Sequence, residues 1–167
     1  MAQATGKRLV INNSWGNYRL FPLDGTSLMS QAIDAFSELG VVFVFSAGNN
    51  GDINFHLKKS FANDSVRTRI MGFEYAFDED LWGQSVGMWG EAGNSFKAQL
   101  RILNAQNELV IQSELFNTAT AAPYIDSFMV TGADTIFYHI TTDAAHPLNG
   151  RPQMTMDIQS RNGALKK

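Results

Sequence analysis

DGTSLMSQAIDAFSELGVVFVFSAGNNGD, residues 24–52, decides how the N-terminal part of the chain folds. Its first half sets Leu28, Met29, Ala32, Ile33, Phe36 and Leu39 at helical spacing, which makes one apolar stripe. Asp24 or Thr26 can cap the start by offering an oxygen to free N–H groups, and Gly40 supplies the left-handed residue that ends a helix. VVFVFS, residues 41–46, then runs apolar up to its final serine, as expected of a strand buried on both faces of a parallel sheet. Working outward, RLVIN at residues 8–12 is a second short β-prone run. A strand–helix–strand unit with so short a return predicts a right-handed crossover between parallel strands. Ligand chemistry gathers at the carboxyl ends of such strands. SWGN, residues 14–17, stands at one of these ends and GNNGD, residues 48–52, at the other.

From about Val66 the rhythm changes. SFKAQLRI, residues 95–102, alternates Phe96, Ala98, Leu100 and Ile102 against polar neighbours, and QMTMDIQ, residues 153–159, alternates Met154, Met156 and Ile158. Turn chemistry separates such runs: EAGN at 91–94, NAQNE at 104–108, TGAD at 131–134 and LNGRP at 148–152. Short strands at this spacing predict an antiparallel β-sandwich of jelly-roll type. The fold expected is a parallel α/β segment over residues 1–65, then a β-sandwich over 66–167, β-dominated overall. DEDLWG, residues 78–83, and the polar residues before it are read as a linker or solvated acidic turn. Trp82, Trp89, Phe96 and Phe137 are candidate core aromatics.

Composition removes several classes of function. The chain has 167 residues, 44% of them hydrophobic, with 13 basic residues against 16 acidic ones and a net charge of −3. No basic footprint for nucleic acid or an anionic membrane surface results, and neither partner is expected. No apolar run approaches the length that spans a bilayer, and MAQATGKR at the start lacks the apolar core of a signal peptide. Without cysteine there is no disulfide, thiolate metal site or cysteine nucleophile. His56, His139 and His146 lie far apart and lack helical zinc spacing, and the Asp78, Glu79 and Asp80 cluster lacks the register of a calcium loop. No metal and no cofactor are expected.

VINNSWG, the amphipathic helix and GVVFVFSAGNNGD, taken in that order, resemble the central part of a subtilisin-like serine protease (subtilase, peptidase family S8). The resemblance covers roughly the first third of the chain. It implies that Ser14, Trp15 and Gly16 belong to the strand lining a substrate cleft, and that Ala47 and Gly48 lead into an oxyanion-hole asparagine, Asn49. The chemistry suits these residue types. When serine attacks a peptide carbonyl, charge develops on the oxygen, and a fixed amide donor about 3 Å away stabilises it more than the ground state. Gly48 brings backbone close to substrate, residues 14–16 offer a strand edge to an extended peptide, and Trp15 walls an apolar subsite.

The same resemblance disposes of GTSLM, residues 25–29, as a nucleophile phrase. In the family, Gly-Thr-Ser-Met-Ala follows the oxyanion asparagine and opens a proline-bearing helix, whereas Ser27 precedes Asn49 and no such proline follows. Thr26 and Ser27 are therefore read as helix-start residues whose hydroxyls satisfy free N–H groups. No Asp-[Ser/Thr]-Gly, His-Gly-Thr-His or later Gly-Thr-Ser-Met phrase occurs in the chain. The expectation is a fragment of a subtilisin-like endopeptidase, inactive alone because the Asp/His/Ser triad is absent, with the β-rich part as an insertion. Its partners would be the peptide or protein substrate and, through the incomplete parallel sheet, a second copy. The family implies an extracellular or periplasmic parent, though no residue fixes the compartment. A non-catalytic β-sandwich that binds protein or glycan is the alternative.

Overall fold

The computed structural model describes residues 5–14, 24–48, 51, 57–60, 62, 65–69, 73–75, 78–132 and 134–160. The chain divides into two compact units, Met1–Arg69 and Ile70–Lys167.

In the first unit, β1 (Val10–Asn13) and β2 (Val42–Phe45) pair in parallel, from Val10 opposite Val42 to Asn13 opposite Phe45. The Val42 N–H donates to Leu9 O at 2.9 Å and the Ser46 N–H to Asn13 O at 3.1 Å, so the ladder extends beyond both ends. Between the strands runs α1 (Leu28–Glu38). Its N-cap is Ser27, not Asp24 or Thr26: the Ser27 hydroxyl accepts the Ser30 N–H at 3.1 Å. Asp24 instead folds the approach, its carboxylate accepting both the N–H and the hydroxyl of Thr26. At the other end Gly40 takes φ +84. The Gly40 N–H reaches Ser37 O and the Val41 N–H reaches Phe36 O, the paired bonds of a Schellman stop.

The apolar stripe on α1 is formed but uncovered. No residue of the helix is buried, and Leu28 and Leu39 are 70% and 62% exposed. Likewise Val42, Val44 and Phe45 of β2 are exposed, against the expectation of a strand buried on both faces. Two strands and one helix supply no second layer for the far face of the sheet, so the described residues of this unit form no apolar core.

The second unit is antiparallel. Its main sheet runs β3 (Phe73–Tyr75), β4 (Asp78–Trp89), β11 (Gln153–Ser160), β10 (Thr135–Asp143), β9 (Tyr124–Val130) in spatial order. β9, β10 and β11 follow one another as neighbours, and β4 returns across a long connection to lie beside β11. That is a Greek-key order. The acidic run 78–80 opens β4, with Asp78 opposite Tyr75 of β3, so it is strand and neither linker nor turn.

The long connection carries a broken hairpin. β5 (Lys97–Ala98) pairs with β8 (Phe116–Asn117), and β6 (Arg101–Leu103) with β7 (Leu109–Gln112). Between the two ladders the register slips by one residue. Two buried hydroxyls bond main-chain donors where the ladders stop: Ser113 accepts the Leu100 N–H at 3.0 Å at the break, and Thr118 the Phe96 N–H at 3.2 Å at the outer end of the β5–β8 ladder. Because buried main-chain groups must be paired, these side chains take over where the ladder stops.

The core lies on one face of the main sheet. Ile136, Tyr138 and Ile140 of β10, Met154, Met156 and Ile158 of β11 and Met129 of β9 meet Ile102 and Phe116 from the hairpin. The Phe116 and Tyr138 rings stand edge to face, 6.0 Å apart. Of the candidate core aromatics, Phe96 packs against this cluster, Phe137 points to the opposite face and Trp89 sits edge-on to His146 at 5.1 Å. The Trp82 side chain lies outside the described residues. Truncating the fully buried Met154→Ala should destabilise the protein by about 2–5 kcal/mol. A Cβ on Gly90 would lie 2.7 Å from Pro152 Cγ and 3.0 Å from Phe96 Cδ1, so Gly90→Ala should cost about 1–3 kcal/mol through overpacking. Urea denaturation followed by circular dichroism measures both losses.

Candidate functional site

Parallel pairing brings the carboxyl ends of β1 and β2 to one edge. Ser14 follows β1 directly, and Ser46, Ala47 and Gly48 follow β2. The bond from the Ser46 N–H to Asn13 O joins the two segments where they leave the sheet. Ser14, Ala47 and Gly48 are exposed, and the Asn12 side-chain amide reaches Ser14 Oγ at 3.5 Å. Gly48 has φ +88, the left-handed region, with open space around the position of a Cβ. The dihedral, not packing, therefore selects glycine here. Trp15, Gly16 and Asn49 lie outside the described residues. The structure thus places Ser14 after β1 and Ala47 and Gly48 after β2, at the carboxyl ends of a parallel pair.

Ser27, the other hydroxyl of interest, is 5% exposed. Its oxygen is engaged with the N–H and the hydroxyl of Ser30, 3.1 and 2.9 Å away. A nucleophilic serine needs a neighbouring base and an open approach. Capping supplies neither.

On the face of the main sheet opposite the core, a polar row crosses the strands. Ser85 of β4 donates to Asp157 of β11, Asp157 faces His139 of β10, and His139 faces Asp126 of β9 with Nδ1 3.8 Å from the carboxylate. Tyr124 stands edge-on to His139 at 4.3 Å. No local pattern in the sequence marks this row, because its members are far apart in the chain and only the register aligns them. The row contains serine, histidine and aspartate, yet the serine bonds to a carboxylate and not to the imidazole, so it lacks the nucleophile–base contact. Among the described residues no group of three or more His, Asp or Glu is placed to hold a metal ion.

Comparison with protein families gives one finding. The Subtilase family model matches residues 2–72. No curated protein and no solved structure matches the chain. The subtilase match takes in β1, α1, β2 and both loop phrases, and it supports the family for this segment. Every strand of the main antiparallel sheet lies beyond it.

Replacing the cap, Ser27→Ala, should cost about 1 kcal/mol of helix stability. The same residue in the wild-type protein should take no label from a fluorophosphonate. Thermal melting and intact-mass analysis check the two outcomes.

Proposed function

We propose that the chain carries the oxyanion-hole portion of a subtilisin-like serine endopeptidase, with the antiparallel unit as an insertion between the oxyanion loop and the nucleophile-bearing segment. One observation carries the reading. The parallel β1–β2 ladder brings residue 14 and residues 47–48 to the same carboxyl edge, and the subtilase match spans both. In this reading, residues 14–16 pair with an extended peptide through main-chain hydrogen bonds. Trp15 borders an apolar side-chain subsite. Gly48 turns the chain so that the side-chain amide of Asn49 faces the carbonyl oxygen under attack.

The proton transfers and the attack belong to an Asp, a His and a Ser supplied by other parts of the same reading frame. Aspartate and histidine come from segments ahead of this one and serine from a segment after it. Until they are present, an oxyanion donor has no developing charge to stabilise. The chain alone therefore does not hydrolyse peptides. The substrates of the parent enzyme in this reading are peptides or proteins.

A second reading, a binding module for protein or glycan built on the antiparallel unit, draws on the distribution of the core. Every buried hydrophobic residue among the described ones belongs to the unit Ile70–Lys167. The two readings separate in the full reading frame. Asn49→Ala in the complete enzyme should lower kcat by about 10²–10³, the size associated with one oxyanion donor in a subtilisin-type site, with KM little changed. An unchanged kcat, or a frame without Asp-x-Gly, His-Gly-Thr-His and Gly-Thr-Ser-Met phrases, would leave the binding module as the better account. Steady-state kinetics on a peptide anilide gives the measurement.

A further inference from the structure

β9 is the open margin of the main sheet. At its two ends the Thr131 N–H donates to Asp134 O at 2.9 Å and the Thr142 N–H to Pro123 O at 3.1 Å. Hydrogen-bonded and non-hydrogen-bonded pairs alternate along an antiparallel ladder. Counting inward from both ends, Ile125, Ser127 and Met129 turn their main-chain groups toward β10. Tyr124, Asp126, Phe128 and Val130 turn theirs to the open edge. Their side chains stand on the face away from the core, where Tyr124, Phe128 and Val130 are 57%, 59% and 59% exposed. Phe137 adjoins Phe128, with the ring centroids 6.2 Å apart.

Sheet edges are usually blunted by short length, proline, lysine or a bulge. The opposite margin follows this rule, since β3 has three residues and its register shifts between Glu74 and Tyr75. β9 has seven residues, an unbroken register, no proline and no lysine. It is an edge left ready to pair.

We propose that β9 pairs with β9 of a second copy of this chain, antiparallel about a two-fold axis at Ser127. The strand is self-complementary in that register. Tyr124 meets Val130, Asp126 meets Phe128, Ser127 meets itself, and every outward main-chain group finds a partner. Sliding two residues one way sets Asp126 against Asp126, like charges directly opposite, which is unfavourable. Sliding the other way leaves Tyr124 without a strand partner. The strand's one charge therefore selects the register, and the exposed aromatics are covered in it.

Sedimentation equilibrium of the full chain tests the pairing. The wild type should dimerise. Phe128→Asp, which puts a carboxylate opposite each Asp126, should raise the dimer dissociation constant about tenfold or more. Phe128→Lys, which puts a cation there, should leave it within about threefold. Both changes lie at an exposed position, and an unaltered circular dichroism spectrum confirms the fold. Ser127→Cys should form an intermolecular disulfide faster than Tyr124→Cys, because a non-hydrogen-bonded pair on the axis brings two Cα atoms to about 4.5 Å and the chain has no other cysteine. The proposal is overturned by a wild type that is monomeric up to about 100 μM or that takes an added extended peptide on β9 while monomeric. Equal effects of Phe128→Asp and Phe128→Lys, or equal cross-linking of the two cysteine variants, also overturn it.

Discussion

The hydrogen bond from the Ser46 N–H to Asn13 O, 3.1 Å long, closes the parallel ladder at its carboxyl end. Without parallel pairing, the loop after β1 and the loop after β2 would leave the sheet at opposite ends. The bond itself contributes only about 1 kcal/mol net. Its importance is geometric. α1 makes the parallel arrangement reachable by returning the chain along the sheet, and the Ser27 cap and the Gly40 stop fix where that return starts and ends.

The two units are held together by different means. In Ile70–Lys167 the sheet face of β10 and β11 is sealed by the broken hairpin, and a fully buried side chain of the Ile or Met class gains about 1.5–3 kcal/mol from leaving water. In Met1–Arg69 the described strands and helix keep their apolar stripes in contact with water. Local devices define the geometry there: a serine cap, an aspartate-braced turn, a Schellman stop and a parallel ladder. A layer able to cover β2 and α1 is what a complete subtilisin-like sheet would supply, which agrees with the proposal that this unit works as part of a larger enzyme.

Much of this was legible in the residues. Helical spacing in 28–39 and the apolar run 42–45 marked α1 and β2, and the alternation of Met154, Met156 and Ile158 gave the core face of β11. Gly48, Ala47 and Ser14 fell at one strand end because short parallel connections leave few topologies. Other features were opaque for physical reasons. In TIFYHIT both parities carry an aromatic, so the pattern alone does not separate Phe137 from Ile136, Tyr138 and Ile140, the set that forms the core. The acidic run at 78–80 has turn composition but lies in β4, because strand pairing in context overrides local propensity. Ser85, Asp157, His139 and Asp126 carry no local signal at all; their alignment exists only after the strands have found their register.

The Greek-key order has a kinetic corollary. β4 is the first long strand of its unit to be made, and its partner β11 is the last: Ser85 and Asp157, bonded across the two, are 72 residues apart. Pairings so distant in sequence lose chain entropy before they gain contacts, which slows folding relative to locally connected architectures. During synthesis β4 waits on the ribosome with one edge unmatched while the broken hairpin and β9–β10 can already form. Pairing of β4 with β11 must therefore await residues 153–160.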